Sequence, residues 1–406
     1  MALETSWLDL CFMEKILRKS ENDDSIQVID IVSKPATNKG DNYTSDIIRI
    51  TAEYSRDSKI KEKKSIIIKL SPVHGIRQKI VTQAGFFHTE MSMMSDTLDK
   101  MNKLLGPKHR LSAKILYAQN ENPTLLVIED LASLGFRMAD RFSGLDLDHS
   151  LLAFRGLARF HAASVVLCEK NPKQKEMYSK GMFCNQHSPE MKSFFIKNTK
   201  ALADEIANWS EAKKYSEKVA KLSDHMYQIG IDAQKLCDDE FNVITHGDCS
   251  VINMLFKYDN NGKPTDQIFV DFQMCIYASA ALDLIYLLNS SISFDVIEHK
   301  TDILLNEYLH TLSMTMKQLN CKTQPPTMEE LKVSIKRKAN YGMMTSFNIL
   351  PFFLCCKSDA TDLDEILCSG TYTNPGLKNE IFKEILIKRL PLYDEWGLLD
   401  LYSDHI

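Results

Sequence analysis

Two short apolar runs that end in polar side chains constrain this chain more than any other feature. The first reads Ile244-Thr-His-Gly-Asp-Cys-Ser-Val-Ile-Asn253 and the second Phe269-Val-Asp-Phe-Gln273. Between them Asp259-Asn-Asn-Gly262 is a strong turn signal, so residues 253–271 read as a β-hairpin. A hairpin holds the ends of its strands side by side, which brings Asn253 and Asp271 to one edge. Asp248 reaches the same edge from a loop opened by Gly247. Singly, each of these residues is an ordinary strand-end turn or cap. Together they supply a carboxylate able to orient a hydroxyl and take its proton, and two hard oxygen ligands of the kind Mg²⁺ prefers. That set suits phosphoryl transfer from ATP, with Asp248 as the base and Asn253 and Asp271 as Mg²⁺ ligands.

Upstream residues supply what such an edge needs. Strands are expected at 25–33, 46–54 and 65–70, a helix at 84–104, and strands at 113–118 and 124–129. This order makes a small antiparallel sheet carrying one helix. The polar residues 55–64 read as an exposed hairpin connection. In Ser65-Ile-Ile-Ile-Lys-Leu70 a lysine closes an apolar strand, which is costly unless its ammonium meets an anion. Nucleotide phosphates would satisfy Lys69, with Glu90 pairing from the helix. The turn at 37–45 has only Gly40, so Asn42, Tyr43, Thr44 and Ser45 are the candidates for holding phosphates through side-chain hydrogen bonds. At Leu125-Leu-Val-Ile-Glu-Asp-Leu131 the chain turns polar abruptly, and the backbone of Glu129 and Leu131 is expected to read adenine. Beyond 148 the pattern is mainly helical, with Lys/Glu-rich surface helices over 169–240. Asp283, in an otherwise apolar helix, needs donors that the catalytic-loop amides would supply. His246 is expected to brace that loop, and His161 to be a buried, satisfied helix histidine. The expected architecture is α+β and bilobal, with a nucleotide-binding lobe over 1–131 and a larger lobe over 132–406 for catalysis and the acceptor, the latter with a helical insertion at about 169–240.

Composition narrows the function classes. A net charge of -5 over 406 residues argues against a dedicated nucleic-acid binder. Ten cysteines without a C-x-x-C pair read neither as a zinc site nor as a disulfide framework. The apolar stretch from Gly342 to Cys356 is broken by Pro351 and is too interrupted to span a bilayer. The first residues show no basic region followed by an apolar run, so a cytoplasmic protein is expected. No G-x-x-x-x-G-K-[ST] is present, which removes the P-loop reading. A protein kinase would need a peptide-docking segment after its second metal aspartate. Here Asp283 follows Asp271 too closely, and His246-Gly-Asp lacks an arginine to pair with a phosphorylated loop. A small-molecule hydroxyl is therefore the expected acceptor, with walls at 180–190 and at Met343–Phe353. The alternative from another class is a catalytically idle small-molecule-binding pseudokinase. Against it, Lys69, Glu90, Asp248, Asn253 and Asp271 are all in place.

These residues give the chain a resemblance to the ecdysteroid kinase-like family, which belongs with choline and aminoglycoside kinases in the protein-kinase-like fold. The resemblance runs through Asn42-Tyr-Thr-Ser45, Lys69, Glu90, Ile128-Glu-Asp-Leu131 and Phe160-His-Ala-Ala-Ser164. It continues in His246-Gly-Asp, Asn253-Met-Leu-Phe256, Asp271-Phe-Gln273, Asp283-Leu and Leu392-Tyr-Asp-Glu-Trp-Gly397. It implies ATP and Mg²⁺ as cofactors and an ecdysteroid, xenobiotic or glycoside hydroxyl as acceptor, with detoxification among the roles. Two positions depart from the family pattern. Ser250 stands where the family has Trp, and Ile252 stands where it often has Asn.

Overall fold

The computed structural model describes residues 7–37, 44–57, 60–121, 123–356 and 374–400. Its first part is a five-stranded antiparallel sheet in the order β1-β2-β3-β5-β4, from β1 (Gln27–Pro35), β2 (Asp46–Arg56), β3 (Ile60–Leu70), β4 (Ile115–Gln119) and β5 (Leu125–Glu129). Alternation decides which way its side chains face. Ile66, Ile68 and Leu70 of β3 join Ile48, Ile50 and Ala52 of β2 against Met13, Ile16 and Leu17 of helix α1 (Leu10–Glu21). Lys69, between Ile68 and Leu70, therefore belongs to the opposite face. The connection expected at 55–64 is instead largely strand, paired as far as Arg56 opposite Ile60. Its charged residues are satisfied across the ladder, Lys61 on Glu53 at 2.9 Å and Arg56 on Glu62 at 3.0 Å, so polarity here marks exposed strand rather than loop.

Helix α2 (Gly75–Ala84), which the sequence pattern did not suggest, precedes α3 (Phe86–Ser92). A π-helical turn over Met93–Thr97 carries α3 into α4 (Leu98–Leu105). The extra residue in that turn puts Thr97 Oγ1 2.5 Å from both Tyr178 Oη and Gln174 Nε2, which staples the helix to the larger lobe.

After β5 a single 3₁₀ turn, Leu131–Leu134, leads to β6 (Phe136–Met138). The rest is mainly helical around α5 (Leu147–Lys170), which packs along α10 (Phe294–Gln318). By length and composition α5 could cross a membrane, yet 67% of its most apolar window is buried inside the protein. Helices α6 (Pro189–Ile206), α7 (Ser216–Leu222) and α8 (Met226–Ala233) occupy the stretch expected to hold surface helices. They are not superficial, because Phe195, Leu202, Ile206 and Met226 are buried in the main core. Strand β7 (Asn242–Ile244) pairs with β10 (Tyr277–Ser279), while β8 (Met254–Tyr258) and β9 (Pro264–Phe269) form the expected hairpin, with β6 added at its edge. Helix α9 (Ala281–Ser290) follows, then α10, α11 (Met328–Arg337), α12 (Ala339–Asn348), the short α13 (Leu350–Phe353) and a last helix over Glu380–Glu395. The expected helix at 361–368 lies outside the described residues. A small antiparallel sheet with helices on one side and a larger helical body on the other is the α+β bilobal arrangement.

Candidate active site

The site forms where the free face of the sheet meets the β7–β10 region. Lys69 Nζ lies 2.7 Å from Glu90 Oε2 and 3.1 Å from Asp271 Oδ1. Lys69 and Glu90 are each 4% exposed, so this cluster is desolvated. Burial works against the lysine's charge, but Asp271 and Glu90 outweigh it and hold the ammonium above its usual range. One ammonium cannot fully compensate two carboxylates. Burial accordingly pushes Glu90 up to about 7 against the pull of Lys69. Asp271 adopts a left-handed φ of 65°, a conformation aspartate tolerates better than most residues.

The loop His246-Gly-Asp248 is held from three sides. Asp283 of α9 accepts hydrogen bonds from the amides of His246 (2.7 Å) and Gly247 (2.9 Å) and from His161 Nε2 (3.0 Å). Burial alone would raise Asp283, yet these donors and the neighbouring imidazoles bring its carboxyl below the ordinary range. His161 is thus buried and satisfied, with Nδ1 2.7 Å from Tyr308 Oη. His246 spans the loop, its Nε2 3.2 Å from the Val270 carbonyl and its Nδ1 accepting from the Asp248 amide at 3.3 Å. Burial lowers its pKa, in keeping with a neutral ring that donates at one nitrogen and accepts at the other. Gly247 has a φ of 80°, and a Cβ there would meet the Met274 carbonyl at 2.0 Å. Only glycine lets the segment after Asp271 pack so closely on the loop.

Asp248 projects from this frame with both oxygens engaged. Tyr286 Oη donates to Oδ1 at 2.5 Å and Asn253 Nδ2 to Oδ2 at 2.9 Å. Burial pushes the Asp248 carboxyl up to about 7; the charge of Asp271 adds to this, against the hydrogen bonds from Tyr286 and Asn253. Asn253 Nδ2 also donates to the Asp248 carbonyl at 3.0 Å, so its Oδ1 is the atom left for a cation. No cluster of three or more His, Cys, Asp or Glu ligands occurs among the described residues. One amide oxygen and one carboxylate fit Mg²⁺ of the kind that completes its shell with phosphate and water.

A cavity partly open to solvent meets this edge, with room for the centre of a water molecule over about 150 Å³. Its polar lining is Thr44, Asp248, Asn253, Asp271, Gln273 and Tyr286. The remainder is apolar, including Ile80 and Phe86 from α2 and α3, Phe194 and Phe195 from α6, and Ile252 and Met274. From the expected walls, Met182, Ile349, Phe352 and Phe353 line it, while Met343, Met344 and Phe347 are buried in the main core. A small slot lined by Ala113, Leu126, Ile128 and Phe269 runs behind Lys69, on the side of β5.

The remaining sequence candidates fall as follows. Thr44 lines the cavity and Ser45 is buried beside it in sequence, while Asn42 and Tyr43 lie outside the described residues. Glu129 closes β5, with its carboxylate on Arg110 and its amide on the Lys114 carbonyl, and Leu131 is buried with Ala113, Phe136 and Ile268. Of the two departures from the family pattern, Ile252 lines the cavity, whereas Ser250 is fully buried and precedes the 3₁₀ turn Val251–Asn253, its carbonyl accepting from the Asn253 amide at 2.9 Å. Sequence reasoning missed Tyr286. Its signal was present, since Tyr286 lies three residues after Asp283 and so on the same helix face.

A bilobal α+β fold with a buried lysine–glutamate pair facing a hairpin edge of this kind is that of a kinase-like protein acting on small molecules. Within that class, the chain belongs to the ecdysteroid kinase-like family, whose sequence profile matches residues 39–321. The sequence matches no curated protein. Among solved structures it is similar to an ethanolamine kinase of Plasmodium vivax, with 13% identity, a TM-score of 0.39, and 92% of this chain and 85% of that one covered. It is also similar to a choline/ethanolamine kinase family protein of Mesorhizobium loti, with 11% identity, 86% and 87% coverage and a TM-score of 0.37. An amicoumacin kinase bound to AMP-PNP, Ca²⁺ and its ligand shares 13% identity, with 96% of each chain covered and a TM-score of 0.41. At these scores the likeness is too distant to place a residue.

Proposed function

We propose that the protein transfers the γ-phosphoryl group of ATP to a hydroxyl of a neutral, lipophilic small molecule. The observation that carries this reading is that Asp248 lines one largely apolar cavity together with Asp271, the carboxylate paired with the buried Lys69–Glu90 couple. In this reading Lys69, positioned by Glu90, binds nucleotide phosphates, and Asn253 and Asp271 hold Mg²⁺. Bound Mg·ATP would supply the phosphoryl group and the charge that neutralises its oxygens. Thr44 and Ser45, with Asn42 and Tyr43, would contact phosphates, and the Glu129–Leu131 segment would meet the adenine. Asp248, oriented by Tyr286 and Asn253, accepts the proton of the acceptor hydroxyl. Its raised pKa leaves it basic enough to do so near neutral pH.

The lining speaks to the acceptor. Among the described residues that line the cavity, Asp248 and Asp271 are the only carboxylates that could balance an ammonium, and desolvating an unpaired cation is expensive. A neutral acceptor such as an ecdysteroid, a phenolic xenobiotic or a glycoside fits better than choline. The test is an ATP-consumption screen with Mg²⁺ against ecdysteroids, phenolics, glycosides, sugars and choline. Phosphate transfer to a neutral lipophilic alcohol is expected, and Asp248→Ala should lower it at least about 100-fold while nucleotide binding stays near wild type. Transfer to choline alone would overturn the acceptor class. Undiminished turnover in Asp248→Ala would overturn the base.

A further inference from the structure

Gln273 lies two residues beyond Asp271, on the segment whose Met274 carbonyl is pressed against Gly247. Its position is therefore as rigid as the catalytic loop. The side chain is 2% exposed and lines the cavity. Neither its Oε1 nor its Nε2 has a hydrogen-bond partner among the described residues. A buried amide unpaired at both ends is unusual in a folded protein, because each end forfeits its hydration without replacement. Much of the remaining lining is hydrocarbon or thioether, from residues such as Phe86, Met182, Phe194, Ile252 and Met274, with Thr44, Asp248, Asn253, Asp271 and Tyr286 as its other polar members. An unpaired amide in the wall of a largely apolar cavity is a group of the kind by which small-molecule sites fix orientation.

We infer that Gln273 selects the acceptor by pairing with a second polar group on it, apart from the hydroxyl presented to Asp248. The amide offers both a donor and an acceptor, so its complement is a hydroxyl, or a ketone beside a hydroxyl. It carries no charge, so the group it reads is neutral. The preferred acceptor is thus a lipophilic molecule with at least two separate oxygen functions, one phosphorylated and one read. This rests on the acceptor site proposed above.

Binding tests it independently of turnover. The full chain, as wild type and as Gln273→Met, is titrated by calorimetry without nucleotide. The probes are neutral steroid and phenylpropanoid alcohols, each paired with an analogue in which one hydroxyl or ketone is replaced by hydrogen. Methionine keeps the length of glutamine and removes a buried unpaired amide, so the variant should fold with unchanged or higher Tm. In the wild type at least one pair should differ in Kd by about tenfold or more in favour of the more polar member, and in the variant by less than about threefold. An unchanged preference in Gln273→Met would overturn the inference, as would equal loss of both members or a panel that does not bind the wild type. Gln273-dependent selectivity without ATP consumption would instead overturn the kinase reading and leave this inference standing.

Discussion

Asp248 shows how burial and hydrogen bonding compete at a single residue. Desolvation raises its pKa to about 7, and the hydrogen bond from Tyr286 pulls it back. Removing that donor leaves the charged form less supported, so its pKa rises further. In Tyr286→Phe the acid limb of the kcat/KM–pH profile should therefore move to higher pH, by up to about one unit. Activity at pH 6 should fall much more than activity at pH 8.5. A limb that stays where the wild type has it would show that the titrating base is not Asp248. Tyr286 shares a helix face with Asp283, so its place was readable from spacing, whereas what faces Gln273 is not written in its immediate neighbours.

At the scale of elements, α9 is what holds the His246-Gly-Asp248 loop in place. One carboxylate, Asp283, receives two loop amides and the His161 ring, tying α5, α9 and the residues after β7 into one unit. Asp283→Ala strands three buried donors at once. Leaving buried polar groups unpaired costs about 1–3 kcal/mol each, so the variant should lose at least about 3 kcal/mol. Urea denaturation measures this, and a loss below about 1 kcal/mol would contradict the network described here. The need for donors around Asp283 was readable in the sequence, since an aspartate in Ala-Ala-Leu-Asp-Leu-Ile-Tyr has no other way to be satisfied. The amides of His246 and Gly247 are the loop donors that reading named, whereas the third donor, His161, depends on the packing of α5 against α9.

At the scale of the molecule, the two lobes are not independently cored. The cluster containing Phe86, Met93, Met94 and Leu98 from α3, the π turn and α4 continues without a break into Leu157, Phe160 and Phe272 of the larger lobe. The face of the sheet covered by α1 has a separate core, and Ala113, Leu131, Phe136 and Ile268 form a further small cluster. The helix carrying Glu90 thus belongs mechanically to the larger lobe, and the Thr97 contacts with Gln174 and Tyr178 reinforce that. Shared apolar burial couples unfolding, so fluorescence and far-UV circular dichroism should report one cooperative transition. Two resolved transitions would show that the continuous cluster contributes little.

The sequence alone determined the sheet with its lysine strand, the hairpin turning on Asp259–Gly262, and the edge shared by Asp248, Asn253 and Asp271. These follow from local rules, namely alternation, turn chemistry and the cost of a charge at the end of an apolar strand. Strand limits around 55–64 escaped those rules because cross-strand ion pairs let charged residues remain in a ladder. The depth of α6–α8 escaped because Lys/Glu-rich composition says little about the face a helix buries. Met182, Ile349, Phe352 and Phe353 of the cavity wall fall in stretches the sequence offered, but only the tertiary structure decided that α2, α3, α6 and the segments at Ile252 and Met274 complete it, with apolar residues that in sequence look like any other core. An apolar side chain has the same local signature whether it meets another side chain or an empty space. The difference is set only when the elements come together.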